Sequence, residues 1–149
     1  MKKLKGNLLH IKEGIICHQV NCMGKMGAGL ALQIRKAYPE AYDTYMRDYR
    51  EGNLKLGFTR LVKVTNYLAV ANLCGQYYYG RDKCYTDYGA LRTCLRFIYE
   101  LKCLRNDTID VPIYVPIGMG CSLAGGKWEI VEQIVNEEIP GAIIITRTL

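Results

Sequence analysis

Two stretches of this sequence place clustered glycines at the start of a helix. One is Asn21-Cys22-Met23-Gly24-Lys25-Met26-Gly27-Ala28-Gly29, and the other is Gly118-Met119-Gly120-Cys121-Ser122-Leu123-Ala124-Gly125-Gly126. Each follows an apolar run that reads as a strand. A helix N-terminus offers free N–H groups and a partial positive charge, and glycines let the backbone approach a phosphate closely. Two such loops side by side would hold a diphosphate. The competing reading is that the glycines merely end strands, which a single loop would leave standing. Neither loop is a Walker A, because Gly-Lys-Ser/Thr does not follow four intervening residues. Neither is the GxGxxG dinucleotide fingerprint with an acidic residue about 20 positions on. Cys121 lies in the second loop, where a helix N-terminus lowers a thiol pKa. A lone feature of this kind reads as structural.

These loops need elements to carry them. Lys3 to Leu9 reads as a short strand, and Gly14 to Val20 as a second, rich in β-branched residues. Leu30, Ile34 and Ala37 then fall at helical spacing, and Pro39 ends that helix. Glu40 to Arg50 predicts another helix, with Tyr42, Tyr45, Met46 and Tyr49 facing the body of the domain. Thr59 to Val64 and Leu68 to Leu73 read as strands around a turn at Asn66. Asp87 is placed to cap a long helix whose apolar face is Leu91, Cys94, Leu95, Ile98 and Leu101. Val111 to Val115 predicts a buried strand, Trp128 to Glu138 a helix, and Ala142 to Thr146 the last strand. This alternation predicts an α/β domain with a mixed sheet covered on both faces.

The chain has 149 residues, enough for one domain. Half its residues are hydrophobic and 23% are charged, which excludes a disordered, collagenous or coiled-coil chain. No apolar run approaches the roughly 18 residues needed to span a bilayer, so no membrane association is expected. The start, MKKLKGNLLH, lacks the apolar stretch and small-residue cleavage site of a signal peptide and reads as an edge of the fold. Seven cysteines without a CxxC pair, beside two histidines, argue against a zinc site, and no metal or cofactor is expected. Cys17, Cys74, Cys94 and Cys103 read as small buried hydrophobes in a reducing cytoplasm. The net charge of +6 is spread along the chain without a basic run, which favours small anions or plain solvation over DNA.

The sequence also resembles a macro domain, the ADP-ribose-binding module, over essentially its whole length. The resemblance is carried by Lys5-Gly6-Asn7-Leu8-Leu9, by His18-Gln19-Val20-Asn21-Cys22 with Met26-Gly27-Ala28-Gly29-Leu30-Ala31, and by Gly120-Cys121-Ser122-Leu123-Ala124-Gly125-Gly126-Lys127-Trp128. It implies one macro domain over residues 1–149, built as three α/β/α layers around a mixed sheet of about six strands. Within the family the chain looks like the small stand-alone proteins that process ADP-ribose-1″-phosphate. The implied partners are ADP-ribose or ADP-ribose-1″-phosphate, and ADP-ribosylated macromolecules; nothing in the pattern speaks to oligomeric state.

Carried over residue by residue, the resemblance places Asn7 and Leu8 beside the adenine, where Asn7 would accept from the adenine amino group. Asn7 also reads simply as a turn residue after Gly6. Asn21 matches the asparagine at the distal ribose. Gly24, Met26, Gly27, Ala28 and Gly29 fall in the first phosphate loop, and Gly120, Cys121, Ser122, Leu123, Ala124 and Gly125 in the second. Ser122 replaces a more usual glycine. One hydrolase branch uses a lysine and an aspartate whose places here fall near Tyr79 and at Ala124, with Lys83 offset. The glycine-ended, Asn-rich first loop of another branch is absent. The phosphatase branch has a histidine where His18 stands. A neutral imidazole there would move a proton for an attacking water or a leaving oxygen, with a rate that changes near pH 6.5. His18 reads alternatively as a histidine satisfied within its strand. Asp82 and Asp87 are the nearest acidic partners, and Tyr77, Tyr78 and Tyr79 are placed to wall the distal-ribose end or to pack on the sheet. The expected function is hydrolysis of ADP-ribose-1″-phosphate with His18, Asn21 and Asp82 as the catalytic set. The alternatives are a non-catalytic ADP-ribose reader and a hydrolase removing ADP-ribose from protein or nucleic acid.

Overall fold

The computed structural model of the chain describes residues 2–104 and 110–146. In chain order the strands are β1 (Lys2–Lys5), β2 (Gly14–Val20), β3 (Thr59–Lys63), β4 (Leu68–Cys74), β5 (Ile113–Pro116) and β6 (Ile143–Thr146). The helices are α1 (Gly29–Ala37), α2 (Pro39–Arg50), α3 (Tyr88–Leu104) and α4 (Trp128–Glu138). The strands form one mixed sheet in the order β1-β6-β5-β2-β4-β3. Every neighbouring pair is parallel except β3 with β4. This is the expected three-layer α/β fold.

Strand β2 shows why the layers form. Successive side chains of a strand point to opposite faces. Ile15 and Cys17 enter one core with Leu91, Leu95 and Ile98 of α3 and Val131 and Val135 of α4. Ile16 and Val20 enter the other with Ile34 of α1 and Ala41 and Tyr45 of α2. A strand covered on both faces must be apolar almost throughout, as GIICHQV is.

The boundaries of β2 and α4 agree with the expected ones. The first strand does not: it stops at Lys5, because Asn7 Oδ1 accepts the Leu9 N–H at 2.9 Å and caps a 3-10 turn over Leu8–His10. A local side-chain bond here outcompetes the ladder. Pro39 both ends the first helical pattern and starts α2, at the position whose missing N–H costs a helix nothing. Strand β5 begins at Ile113, two residues later than expected, and runs to Pro116. Asp87 does cap α3, its Oδ1 accepting the Ala90 N–H at 2.9 Å. Cys17, Cys74 and Cys94 are buried, but Cys103 is exposed near the end of α3. Tyr45 is fully buried, whereas Tyr49 is 44% exposed and covers the first glycine loop. No helix among the described residues is long and apolar enough to cross a membrane.

Candidate functional site

Five of the six strands run parallel, so their C-terminal ends gather at one edge of the sheet. Open α/β sheets bind ligands in the crevice outside those ends. A cleft of about 680 Å³ lies there, within the range of roughly 300–1,000 Å³ usual for small-molecule and cofactor sites. Asn7 and Leu8 line it beyond β1. Asn21, Lys25, Gly27, Ala28 and Gly29 come from the loop after β2; Gly120, Ser122, Leu123 and Ala124 come from the loop after β5. The loop after β4 adds Gln76, Tyr79, Gly80 and Arg81, and His18 and Gln19 belong to the floor. The two glycine loops touch: a Cβ on Gly29 would sit 3.3 Å from Leu123 Cδ1.

Asn21 organises the first loop. Its Oδ1 accepts from the N–H groups of Met23 at 2.9 Å and Lys25 at 3.3 Å, and its Nδ2 donates to Lys25 O at 2.8 Å. The buried Tyr45 hydroxyl, on α2, reaches Asn21 O at 2.6 Å and Oδ1 at 2.9 Å. Gly24 has φ +74, and the Tyr49 ring covers it so closely that a Cβ would lie 2.9 Å from Cγ. Gly27 faces open space instead, with nothing within 4 Å of an added Cβ. At the start of α1 no side chain caps the helix, so its first-turn amides remain available to an anion.

His18 lies in the floor of the cleft but is only 1% exposed. Asn72 Nδ2 donates to Ala41 O at 3.2 Å, which turns Asn72 Oδ1 toward His18 Nε2 at 2.6 Å. The Nε2 therefore carries the proton, and Nδ1 has no partner among the described residues. Burial pushes the imidazole down to about 4, against the opposing pull of the Asn72 bond. His18 is thus neutral at pH 7, and the expected pH dependence near 6.5 gives way to one near 4.

Asp82 is not in the cleft lining. It is exposed and accepts the Tyr85 hydroxyl at 2.6 Å, a bond that holds its carboxyl below the usual range. Met26 is 1% exposed and belongs to the core beside α1, and Gly24, Cys121 and Gly125 also lie outside the lining. At Gly125, φ is +75 and a Cβ would sit 2.9 Å from Lys83 O, so this glycine serves loop packing. The expected low pKa of Cys121 is overturned: burial first, then Cys84 and Glu129, push its thiol up to about 11. Asn7 lines the cleft while its Oδ1 already serves the 3-10 turn. Of the three tyrosines, Tyr79 reaches the cleft; all three are exposed and none packs in a strand.

Sequence reading missed Gln19, Gln76 and Thr86, which bind the loops together. Gln19 Nε2 donates to Gln76 Oε1 and Thr86 Oγ1, each at 2.9 Å, and Thr86 Oγ1 donates to Gly120 O at 2.6 Å. The signal was present in Gln19, a second polar residue after His18 near the end of a strand that is otherwise apolar. It also missed Lys25 and Arg81. Among the described residues lining the cleft these two are cations and none is a carboxylate. No cluster of three or more metal-ligating side chains occurs among the described residues.

A macro domain family model matches residues 17–135. A 17.5 kDa protein of phage T4, itself uncharacterized, is 30% identical over 142 residues, covering 91% of this chain and 88% of that one. A protein of Mycobacterium tuberculosis named DNA ADP-ribosyl glycohydrolase is 29% identical over 133 residues. The match covers 86% of this chain but only 35% of that protein. The structure of a protein of unknown function from Bacteroides thetaiotaomicron superposes with a TM-score of 0.85 at 30% identity, over 99% of this chain and 97% of the other.

Proposed function

The chain belongs to the macro domain family, and on that premise we propose that its cleft binds ADP-ribose carrying a further phosphate on the distal ribose, as in ADP-ribose-1″-phosphate. The observation that carries this reading is the make-up of the lining: two glycine loops, Lys25, Arg81 and no carboxylate among the described residues. Loop amides and the start of α1 suit the diphosphate. Asn7 and Leu8 then flank the adenine. Asn21 meets the distal ribose, and Lys25, whose backbone Asn21 holds on both sides, is near enough in the chain to place a cation at that end. Arg81 comes from the loop that bonds Cys22 N–H through Tyr77 O at 2.9 Å.

Hydrolysis of that terminal phosphate is the finer reading. Its support is His18, which belongs to the cleft lining, is held in the base form at neutral pH, and has a buried Nδ1 without a partner among the described residues. Calorimetry with ADP-ribose, ADP-ribose-1″-phosphate and AMP, combined with a free-phosphate assay, tests both levels. Micromolar binding, about −8 kcal/mol, is expected for the first two ligands and weaker binding for AMP. No heat at millimolar ADP-ribose would remove the binding reading, and tight binding without phosphate release would leave a reader.

A second reading, removal of ADP-ribose from DNA, is favoured by the name of the mycobacterial relative. Against it stand Tyr79 and Ala124, at the places where one hydrolase branch has lysine and aspartate. Release of ADP-ribose from a modified oligonucleotide would establish it.

A further inference from the structure

Three consecutive tyrosines stand in water beside the cleft. Tyr77, Tyr78 and Tyr79 are 58%, 47% and 42% exposed. Tyrosine bodies are ordinarily covered, with only the hydroxyl left wet. The loop that carries them is pinned. Cys22 N–H donates to Tyr77 O and Gln76 Nε2 donates to Tyr78 O, each at 2.9 Å, and Gln76 pairs with Thr86 at the base. The rings of Tyr78 and Tyr79 stack with centroids 4.8 Å apart and planes 17° from parallel. Tyr85 tilts against Tyr78 at 6.1 Å, and Lys83 Nζ lies 5.2 Å from the Tyr85 ring centroid. Arg81, in the same loop, lines the cleft. The result is a preorganised aromatic surface that meets the cleft lining at Tyr79, flanked by the cations Arg81 and Lys83 and by the Asp82 carboxylate, which the Tyr85 hydroxyl already engages.

We propose that this surface binds single-stranded nucleic acid, with bases stacking on the tyrosine pair and Arg81 and Lys83 meeting the phosphates. Every base offers a π face, so stacking tolerates any sequence, and adjacent cations track the backbone. A duplex keeps its bases stacked inside and has none to offer. An acidic peptide would satisfy the cations and leave the rings unmatched. The net charge of +6 adds a favourable field. A strand seated here would direct an attached ADP-ribose group into the cleft; that orientation rests on the ADP-ribose reading, whereas the stacking surface does not.

The test is fluorescence anisotropy of the whole protein with a labelled oligothymidylate of about 15 nucleotides, against a duplex of the same length, in low salt. The single strand should bind at least about tenfold more tightly than the duplex. Tyr78→Ala should weaken it about 5- to 100-fold, the worth of one stacked base, while Tyr78→Phe keeps the ring and the affinity. Tyr78 is outside the cleft lining, so ADP-ribose calorimetry should be unchanged in both variants, which also shows that they are folded. Equal binding by the parent and Tyr78→Ala, or a duplex bound as tightly as the single strand, overturns the proposal. A doubled mass in solution that halves in Tyr78→Ala, with no oligonucleotide bound, assigns the face to a second copy of the chain and overturns it as well. Loss of oligonucleotide binding in Tyr78→Ala beside a parent that ignores ADP-ribose would uphold this surface and sink the cleft reading alone.

Discussion

His18 combines a strand position, full burial and one nitrogen without a partner among the described residues, and these fix how it responds to pH. Its folded pKa, about 4, lies below the ordinary 6.5. The unfolded chain therefore binds a proton at higher pH than the folded one. The stabilisation is complete above pH 6.5, declines as pH falls below it, and is lost once the folded imidazole also charges near pH 4, a total of about 3 kcal/mol. Urea unfolding between pH 7.5 and 4.5 should show this slope, and His18→Gln should remove that contribution. If His18 also serves as the base, phosphate release should be flat from pH 5 to 8 and fall only near pH 4. His18→Ala would then lower the rate per folded molecule by about 10²–10⁴-fold. Tyr45 acts one bond further back. Its hydroxyl steadies Asn21 from inside the core, so Tyr45→Phe should cost about 1 kcal/mol of stability and raise the ADP-ribose Kd about tenfold by loosening the first loop. A Kd unchanged in the folded variant would separate Asn21's geometry from binding.

The two glycine loops differ as elements although they look alike in sequence. Gly27 is open to the cleft and has no neighbour for an added Cβ, whereas Gly125 combines φ +75 with backbone in the way. Gly27→Val should therefore leave the thermal midpoint within about 2 °C, since surface changes cost within about 0.5 kcal/mol, and abolish ADP-ribose binding. Gly125→Ala should do the opposite first: it strains the left-handed backbone and pushes on Lys83, lowering the midpoint by several degrees. Scanning calorimetry beside ligand titration reads both. Should Gly27→Val bind normally, the first loop would leave the site. The Gln19–Thr86–Gly120 chain ties the second loop to β2 and to the loop after β4, so the walls of the cleft are coupled through polar side chains as well as packing.

For the whole molecule, the cleft collects the loops after four parallel strands, β1, β2, β4 and β5, and a ligand that touches all of them must stabilise the fold. At about 100 times its Kd, ADP-ribose should add about 2.7 kcal/mol and raise the midpoint by roughly 5–10 °C. AMP at the same concentration should give a smaller rise, because it reaches fewer loops. Identical shifts for the two would mean that the distal end of the cleft contributes nothing. Raising salt should weaken ADP-ribose binding, since Lys25 and Arg81 are exposed.

Local signals sufficed for the α/β class, the bounds of β2 and α4, the Asp87 cap and the two glycine loops. Each depends on neighbours a few residues away: period-two or period-3.6 burial, a cap, a glycine turn. The resemblance in the loop motifs added the family. What the tertiary structure decided is what depends on residues distant in sequence. Lys25 and Arg81 share one cleft because parallel strands deliver their loops to the same edge, while the sequence shows only scattered charge. Asp82 reads as a catalytic partner until its carboxylate is seen occupied by Tyr85 outside the cleft. Cys121 reads as a low-pKa thiol until its burial is known. His18 reads either as an acid–base group or as a histidine satisfied within its strand, and Asn72, from β4, is what occupies its Nε2. Protonation and accessibility are set by what packs around a side chain, and the chain order alone does not say what that will be.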